Sequence, residues 1–276
     1  MKHGRKSATL LHLGLAALLL LAVSCEQGES DPARRVVMRA VKKMGGLEKL
    51  RGWETRIERG TMTRENPGWG TLNAKVVSWV KKPDKLKLDQ DYSAYNHPFY
   101  YVYYLNGEDA WMVVNMQERV HPSVTTNLQD YMKDVDGLGH YVADADTLVI
   151  VPDVPDDSLL AGTSIDRVRY IGGEDTVMLD FDRESGMLRR VVEDGGARIA
   201  LYDDYRETGG RTLPFHVKLY NRGALESEYR WESMEFDVPI DDAVFEESRP
   251  APRPVLEEKA PEQEKQSAEQ EKQSKS

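Results

Sequence analysis

The sequence predicts an α+β fold that is mostly antiparallel β, on three observations. Beyond residue 53, apolar residues alternate with polar ones at strand spacing; turn signals separate these runs at short intervals; and helical spacing is confined to an N-terminal stretch and one insertion. Short loops between strand-like runs imply hairpins, because parallel neighbours need a crossover of a dozen or more residues.

The first element follows Ser30-Asp31-Pro32, an N-cap and a proline that the first helical turn tolerates. Val37, Ala40, Val41 and Met44 then share one helical face, Gly45-Gly46 stops the helix, and a short turn from Leu47 to Leu50 leads to Trp53. In TLNAKVVSWVKKPDKLKLDQ, Leu72, Ala74, Val76, Ser78 and Val80 alternate with polar or amphipathic residues, and Leu86 and Leu88 repeat the pattern after Pro83-Asp84.

Further turns are expected at Asn106-Gly107, Gly172-Gly173, Asp182 to Gly186, Asp194-Gly195-Gly196, Gly209-Gly210 and Asn221-Arg222-Gly223. The insertion is TTNLQDYMKDVDGLG, from Thr125 to Gly139, where Leu128, Tyr131, Met132 and Val135 share a helical face. A helix placed there must pack on one face of the sheet.

The N-terminus, MKHGRKSATLLHLGLAALLLLAVSC, has a basic start, an apolar run from about Leu10 to Val23, and small residues ahead of Cys25. This is the form of an export signal, and the run is shorter than the roughly 20 residues of a membrane-spanning helix. Leu21 to Cys25, LAVSC, resembles a bacterial lipobox, which implies cleavage before Cys25 and acylation of its thiol and new amino group. The alternative is an ordinary signal peptide beside an incidental cysteine. EQGESDP after Cys25 suits a tether, and several acyl chains would hold the protein durably on a membrane. Glu26, rather than aspartate, after the cysteine favours the outer membrane by resemblance to the sorting rule of enteric bacteria.

The resulting domain map is 1–24 signal peptide, 25–33 tether, 34–248 folded domain and 249–276 tail. The tail carries PEQEKQS and AEQEKQS in tandem, with nothing apolar to bury.

Composition narrows the function. The 276 residues hold 37 Lys plus Arg against 47 Asp plus Glu, a net charge of −10 that disfavours nucleic acid as a partner. One cysteine permits neither an intrachain disulfide nor a Cys-based zinc site. The common signatures of serine hydrolases, zincins, P-loops and dinucleotide-binding folds are absent. Asp134-Val135-Asp136-Gly137 and Asp144-Ala145-Asp146 lack the further ligands of an EF-hand loop, and read as solvated acidic loops. His97, His121, His140 and His216 have no paired spacing. No metal, cofactor or catalytic residue is expected.

One polar stretch, ALYDDYRETGGRTLPFHVKLY, merits testing as an acid/base cluster of Asp203, Asp204, Arg206, Arg211 and His216. Strand alternation places Ile199, Leu201, Asp203 and Tyr205 on one face and Ala200, Tyr202, Asp204 and Arg206 on the other. The aspartates then cannot form a close dyad, and Glu207 to Gly210 reads as a hairpin turn.

This hairpin also carries a resemblance. Asp204-Tyr205-Arg206, Gly-Gly, Leu213-Pro214-Phe215 and then Val238-Pro239-Ile240-Asp241-Asp242 with Phe245 resemble the end of the LolA/LolB-like outer-membrane lipoprotein carrier superfamily. MLDFDRESGMLRRVV with its Asp182 to Gly186 turn, the early MGGLEKL from Met44, and Pro83-Asp84-Lys85 fit in the same order, over roughly 34–247. The resemblance implies a curved half-barrel sheet with helices covering its concave face, and a cavity for acyl chains of lipoproteins or other lipids. A lipobox matches the membrane-bound branch of that group, while the repeat tail matches neither branch.

The expected function is that of a lipid-anchored bacterial envelope protein, on the outer membrane facing the periplasm, binding lipid or lipoprotein acyl chains. Val76, Val80, Leu86, Leu88, Trp111, Val113, Leu148, Ile150, Met178 and Leu201 are the candidate cavity walls, with plain core packing as the alternative for each. A second reading is an envelope protein-interaction or stress-sensing module on the same fold. A third, a hydrolase, has only Asp203, Asp204 and His216 behind it.

Overall fold

The computed structural model describes residues 31–246 apart from 67, 69, 94–98, 116, 120–127, 130, 133–134, 153–157 and 174. The expected signal peptide, Cys25 and the tether up to residue 30, the repeat tail, His97, His121 and Asp134 lie outside the described residues.

Helix α1, Pro32–Lys43, begins where Asp31 accepts a hydrogen bond from the Ala33 N–H at 2.8 Å, with Pro32 in the first turn. Its buried stripe is Ala33, Val37, Ala40 and Val41. Gly45 then adopts φ 108°, and an added Cβ would sit 2.6 Å from the Gly210 carbonyl oxygen, so only glycine lets the helix end abut the sheet. Helix α2 is Leu47–Arg51.

The strands are β1 Thr55–Asn66, β2 Gly70–Lys81, β3 Lys85–Asp91, β4 Tyr100–Asn106, β5 Asp109–Val114 and β6 Gln117–Arg119. After helix α3, Leu138–Ala143, come β7 Thr147–Val151, β8 Ile165–Gly172, β9 Asp175–Asp182 and β10 Leu188–Glu193. The last three are β11 Arg198–Thr208, β12 Arg211–Asn221 and β13 Ala224–Phe236.

Together they make one 13-stranded sheet in the order β6-β5-β4-β3-β2-β1-β13-β12-β11-β10-β9-β8-β7. Every neighbouring pair is antiparallel, as the hairpin reading requires. So many twisted strands curl rather than stay flat, which gives an open half-barrel. The two edge strands, β6 and β7, are consecutive in the chain, and among the described residues between them Leu128, Met132, Val135, Leu138, Tyr141 and Val142 pack on one face.

That segment departs from the single helix expected over 125–139. Leu128, Gln129, Tyr131 and Met132 are helical, Val135–Gly137 form a turn, and α3 starts afresh at Leu138. Gly137 at φ 54° is left-handed and cannot continue a helix, which accounts for the break. Leu128, Met132 and Val135 are buried as expected, whereas Tyr131 is 41% exposed.

Register assigns the faces. Phe236, Arg56, Val80, Leu86, Leu105 and Ala110 form one cross-strand row, and Met234, Glu58, Ser78, Leu88, Tyr103 and Met112 the next. These rows face the helices. At the other end of the sheet, Val37 and Val41 of α1 and Leu138 of α3 pack on Val168, Leu179, Phe181 and Val191.

The opposite face has its own packing. Tyr104 stacks on Trp111 with centroids 5.0 Å apart, and the Lys87 ammonium lies 5.2 Å and 5.5 Å from the Trp79 and Tyr104 rings. Buried Asp180 accepts from Arg167 at 2.6 and 2.9 Å and from Arg190 at 2.6 Å. Its two oxygens are thus fully engaged by paired cations, as a buried carboxylate requires.

Candidate functional site

A cavity of about 730 Å³ lies between the inner sheet face and the helices, within the roughly 300–1,000 Å³ usual for small-molecule sites. Its cover comes from Met44, Leu50, Trp53, Leu128, Tyr131, Val135, Leu138 and Tyr141. Its sheet wall comes from Leu86 and Leu88 on β3, Leu188 and Val191 on β10, Ala200, Tyr202 and Tyr205 on β11, Val217 and Leu219 on β12, and Tyr229, Trp231, Met234 and Phe236 on β13. Arg56 and Glu58 of β1 are the charged residues set among these apolar walls at mid-sheet. Glu193, Arg198, Asn221 and Glu226 line the cavity near the β10–β11 and β12–β13 turns.

Charged side chains tie the cover to the sheet. The Trp53 indole N–H donates to the Leu50 carbonyl at 3.0 Å, and the Lys82 ammonium stands 4.0 Å from its ring centroid. Lys82 also donates to the Arg51 carbonyl at 2.9 Å and to Asp136, which lies 3.7 Å from Arg51. Burial lowers the Lys82 pKa more than Asp136 restores it.

Arg56 is tied to the chain through both of its terminal nitrogens. One terminal nitrogen donates to the Val135 carbonyl at 3.1 Å, the other to the Tyr131 hydroxyl at 3.3 Å, and Nε lies 3.3 Å from Glu58 Oε1. Burial alone would lower its pKa; the Glu58 carboxylate and the groups beside it outweigh this and raise it. Arg211 donates to the Lys49 carbonyl at 2.7 Å and the Gly209 carbonyl at 3.0 Å, and lies over the Phe236 ring at 4.2 Å. This joins α2 to the β11–β12 hairpin.

Of the expected wall residues, Leu86 and Leu88 line the cavity. Val76 and Val80 share that face but are sealed into its packing, and Leu148 and Ile150 pack in the cluster around α1. Trp111, Val113, Met178 and Leu201 are a correction: register places them on the opposite face. Trp111 and Val113 neighbour the inward Ala110 and Met112; Met178 neighbours the inward Leu179, and Leu201 the inward Ala200 and Tyr202. Successive strand residues point to opposite faces, so a one-position error in parity moves a side chain out of the cavity.

The polar hairpin also departs from simple alternation. Asp204 has φ 52°, and this kink turns Tyr205 inward with Tyr202 instead of outward with Asp203. Tyr205 donates its hydroxyl to the Leu188 carbonyl at 2.5 Å, and burial drives its pKa far up, so it stays a donor. Each aspartate has an arginine: Asp203 pairs with Arg189 at 2.8 Å, Asp204 with Arg206 at 2.5 Å. His216 Nε2 lies 2.7 Å from Glu228.

Asp144 and Asp146 of the later acidic loop are likewise occupied. Asp144 pairs with His140 at 2.9 Å, and Asp146 accepts from the Gly173 N–H at 2.9 Å. Among the described residues, no group of three or more His, Cys, Asp or Glu side chains is placed to hold a metal ion.

Neither a protein-family profile nor a curated protein matches the sequence. Solved structures do resemble the fold. A DUF1329 family protein of Desulfovibrio piger aligns over 80% of this chain and 100% of its own, at 11% identity and a TM-score of 0.49. A domain assigned to outer-membrane lipoprotein sorting in Vibrio parahaemolyticus aligns over 78% of this chain and 97% of its own, at 10% identity and TM-score 0.47. A LolA superfamily protein of Nitrosomonas europaea aligns over 77% and 96%, at 11% identity and TM-score 0.47.

The alternation pattern did not disclose Arg56, Glu58, Trp53 or the β13 wall of Tyr229, Trp231, Met234 and Phe236. A signal existed: in TRIERGTM, Arg56, Glu58 and Gly60 share parity with Met62, so two charges sit on an otherwise apolar face.

Proposed function

We infer that the protein is a bacterial envelope lipoprotein that holds lipid or lipoprotein acyl chains in its half-barrel cavity, anchored through Cys25. The observation that carries this reading is the cavity itself: about 730 Å³ of space whose walls are mainly Leu, Val, Met and aromatic side chains. Such walls suit acyl chains, which are held by burial of apolar surface at roughly 0.8 kcal/mol per methylene and need no catalytic group. Sequestration involves no bond making, so the protein acts as a carrier or acceptor rather than an enzyme. Among the described residues no helix is long and apolar enough to cross a membrane, and attachment is assigned to the acylated N-terminus.

Lipid extraction from the purified full chain carrying Cys25→Ser, followed by mass spectrometry, tests the cavity. Stoichiometric co-purifying lipid, lost when Leu88→Glu places a charge on the wall, is the expected result. An empty cavity that also fails to take up a fluorescent fatty acid overturns the carrier reading. Mass spectrometry of the N-terminal peptide of the wild-type protein checks acylation at Cys25.

A further inference from the structure

Helix α1 has a face that the packing of the sheet does not use. Its 12 residues, PARRVVMRAVKK, include Arg34, Arg35, Arg39, Lys42 and Lys43 and no acid, in a chain whose net charge is −10. Ala33, Val37, Ala40 and Val41 are buried against the sheet, while those five cations and Met38 are exposed on the other side. Arg34, Met38 and Lys42 are four residues apart, so they form one ridge with a thioether between two cations. Met38 is 37% exposed; the other exposed large apolar side chain among the described residues, Tyr131, belongs to the cavity cover.

Helix stability does not call for these charges. Arg34 and Arg35 stand in the first turn, where the macrodipole favours acids over cations. On the flank toward the β9–β10 turn, Arg39 donates to Asp166 at 3.1 Å, but Asp166 is shared with Arg183 at 2.7 Å. Lys43 donates there to the Ser185 carbonyl, a neutral group that leaves its charge standing. The chain also limits how far this face can lie from Cys25. Asp31 follows Cys25 by six residues, which span at most about 20 Å when extended. An acylated Cys25 therefore holds the start of α1 within that distance of lipid. The helix packs on the sheet face that lines the cavity, and it leads directly to Met44, Leu50 and Trp53 of the cover.

We propose that the exposed face of α1 docks the protein on an anionic phospholipid surface, its cations drawn to the headgroup phosphates and Met38 entering at the acyl boundary. This rests on the reading of Cys25 as a lipid anchor and adds an orientation to it: the covered side of the half-barrel is turned to the bilayer. Each Lys or Arg held near such a surface strengthens binding about fivefold. That attraction falls off within a Debye length of about 10 Å, so acidic residues on distant parts of the surface do not cancel it.

The test is co-sedimentation of residues 25–276 carrying Cys25→Ser, which lack both the apolar leader and any acyl chain. The vesicles are phosphatidylcholine alone or an equal mixture with phosphatidylglycerol. Binding to the mixed vesicles is expected to exceed that to phosphatidylcholine at least about tenfold at low salt, and to be lost at about 0.5 M salt. Arg34→Gln combined with Lys42→Gln should weaken it about thirtyfold, about fivefold for each cation, and leave uptake of a fluorescent fatty acid unchanged. Equal binding to both vesicles, binding to neither, or a double variant that binds as the parent does overturns the docking face while the carrier reading stands. A double variant that loses fatty-acid uptake as well overturns it too, because the loss is then not confined to the surface. If the parent chain takes up no fatty acid, the carrier reading fails and the vesicle result still decides the docking face. An unmodified Cys25 in the mass spectrum of the wild-type protein overturns the anchor and this inference with it.

Discussion

At the scale of single residues, many of the described charged groups are engaged with one another. Glu228 shows the consequence for pH. Its partial burial would raise its pKa, but the hydrogen bond from His216 and the charge of Arg230 outweigh this and hold it below the usual glutamate range. The folded state thus binds this proton less tightly than the unfolded chain does. The stabilisation is present above the unfolded pKa of about 4.3 and is lost as pH falls through the lower folded value. Glu228→Gln should cost about 1 kcal/mol at pH 7, a modest figure because the pair is partly exposed. Urea denaturation between pH 7 and pH 3 checks this, with the difference between wild type and variant narrowing toward acid. His216 thereby has a structural partner, and an unchanged pH profile in the variant contradicts that role.

Among the elements, the β1–β13 pair decides the most, because it joins the two halves of the sheet. Its register shifts between Arg59 and Gly60, where Gly60 lies opposite Trp231. A Cβ on Gly60 would stand 2.8 Å from Trp231 Cα and nearer still to the Arg230 carbonyl oxygen. Backbone cannot retreat as a flexible side chain does, so Gly60→Ala should destabilise by about 2–4 kcal/mol. A shift of the urea midpoint to lower concentration with unchanged slope is the expected signature. The hairpins themselves were legible in the sequence, because Asn106-Gly107, Gly209-Gly210 and Asn221-Arg222-Gly223 are local turn chemistry. The α1 cap at Asp31 and the stop at Gly45 were legible for the same reason. Which face each strand turns to the cavity was not, since parity follows from cross-strand register, and Trp111, Val113, Met178 and Leu201 fell on the wrong side of it. Nor was the pairing of Arg56 with Val135 and Tyr131, which depends on where the inserted segment comes to rest. The kink at Asp204 that turns Tyr205 inward has no counterpart in alternation, because an αL aspartate in a strand looks like any other.

Across the whole molecule, the first and last strands meet at the middle of the sheet, and the strands consecutive at mid-chain, β6 and β7, form its two edges. The halves therefore unite only when the C-terminal strand is in place, and such distant pairing slows folding. A chain ending at Gly223, which lacks β13, should lose cooperative thermal unfolding altogether, as read by circular dichroism; a retained sharp transition would show that one half is stable by itself. The same topology has an evolutionary and engineering corollary. Followed as a closed ring from β7 through β13 and β1 to β6, spatial order and chain order coincide, so the architecture is an uninterrupted up-and-down meander whose natural termini were opened at its centre. A circular permutant cut between β6 and β7 would place its new ends at the sheet's rims and sever the connection that carries the cavity's cover. It would thereby uncouple assembly of the sheet from closure over the ligand.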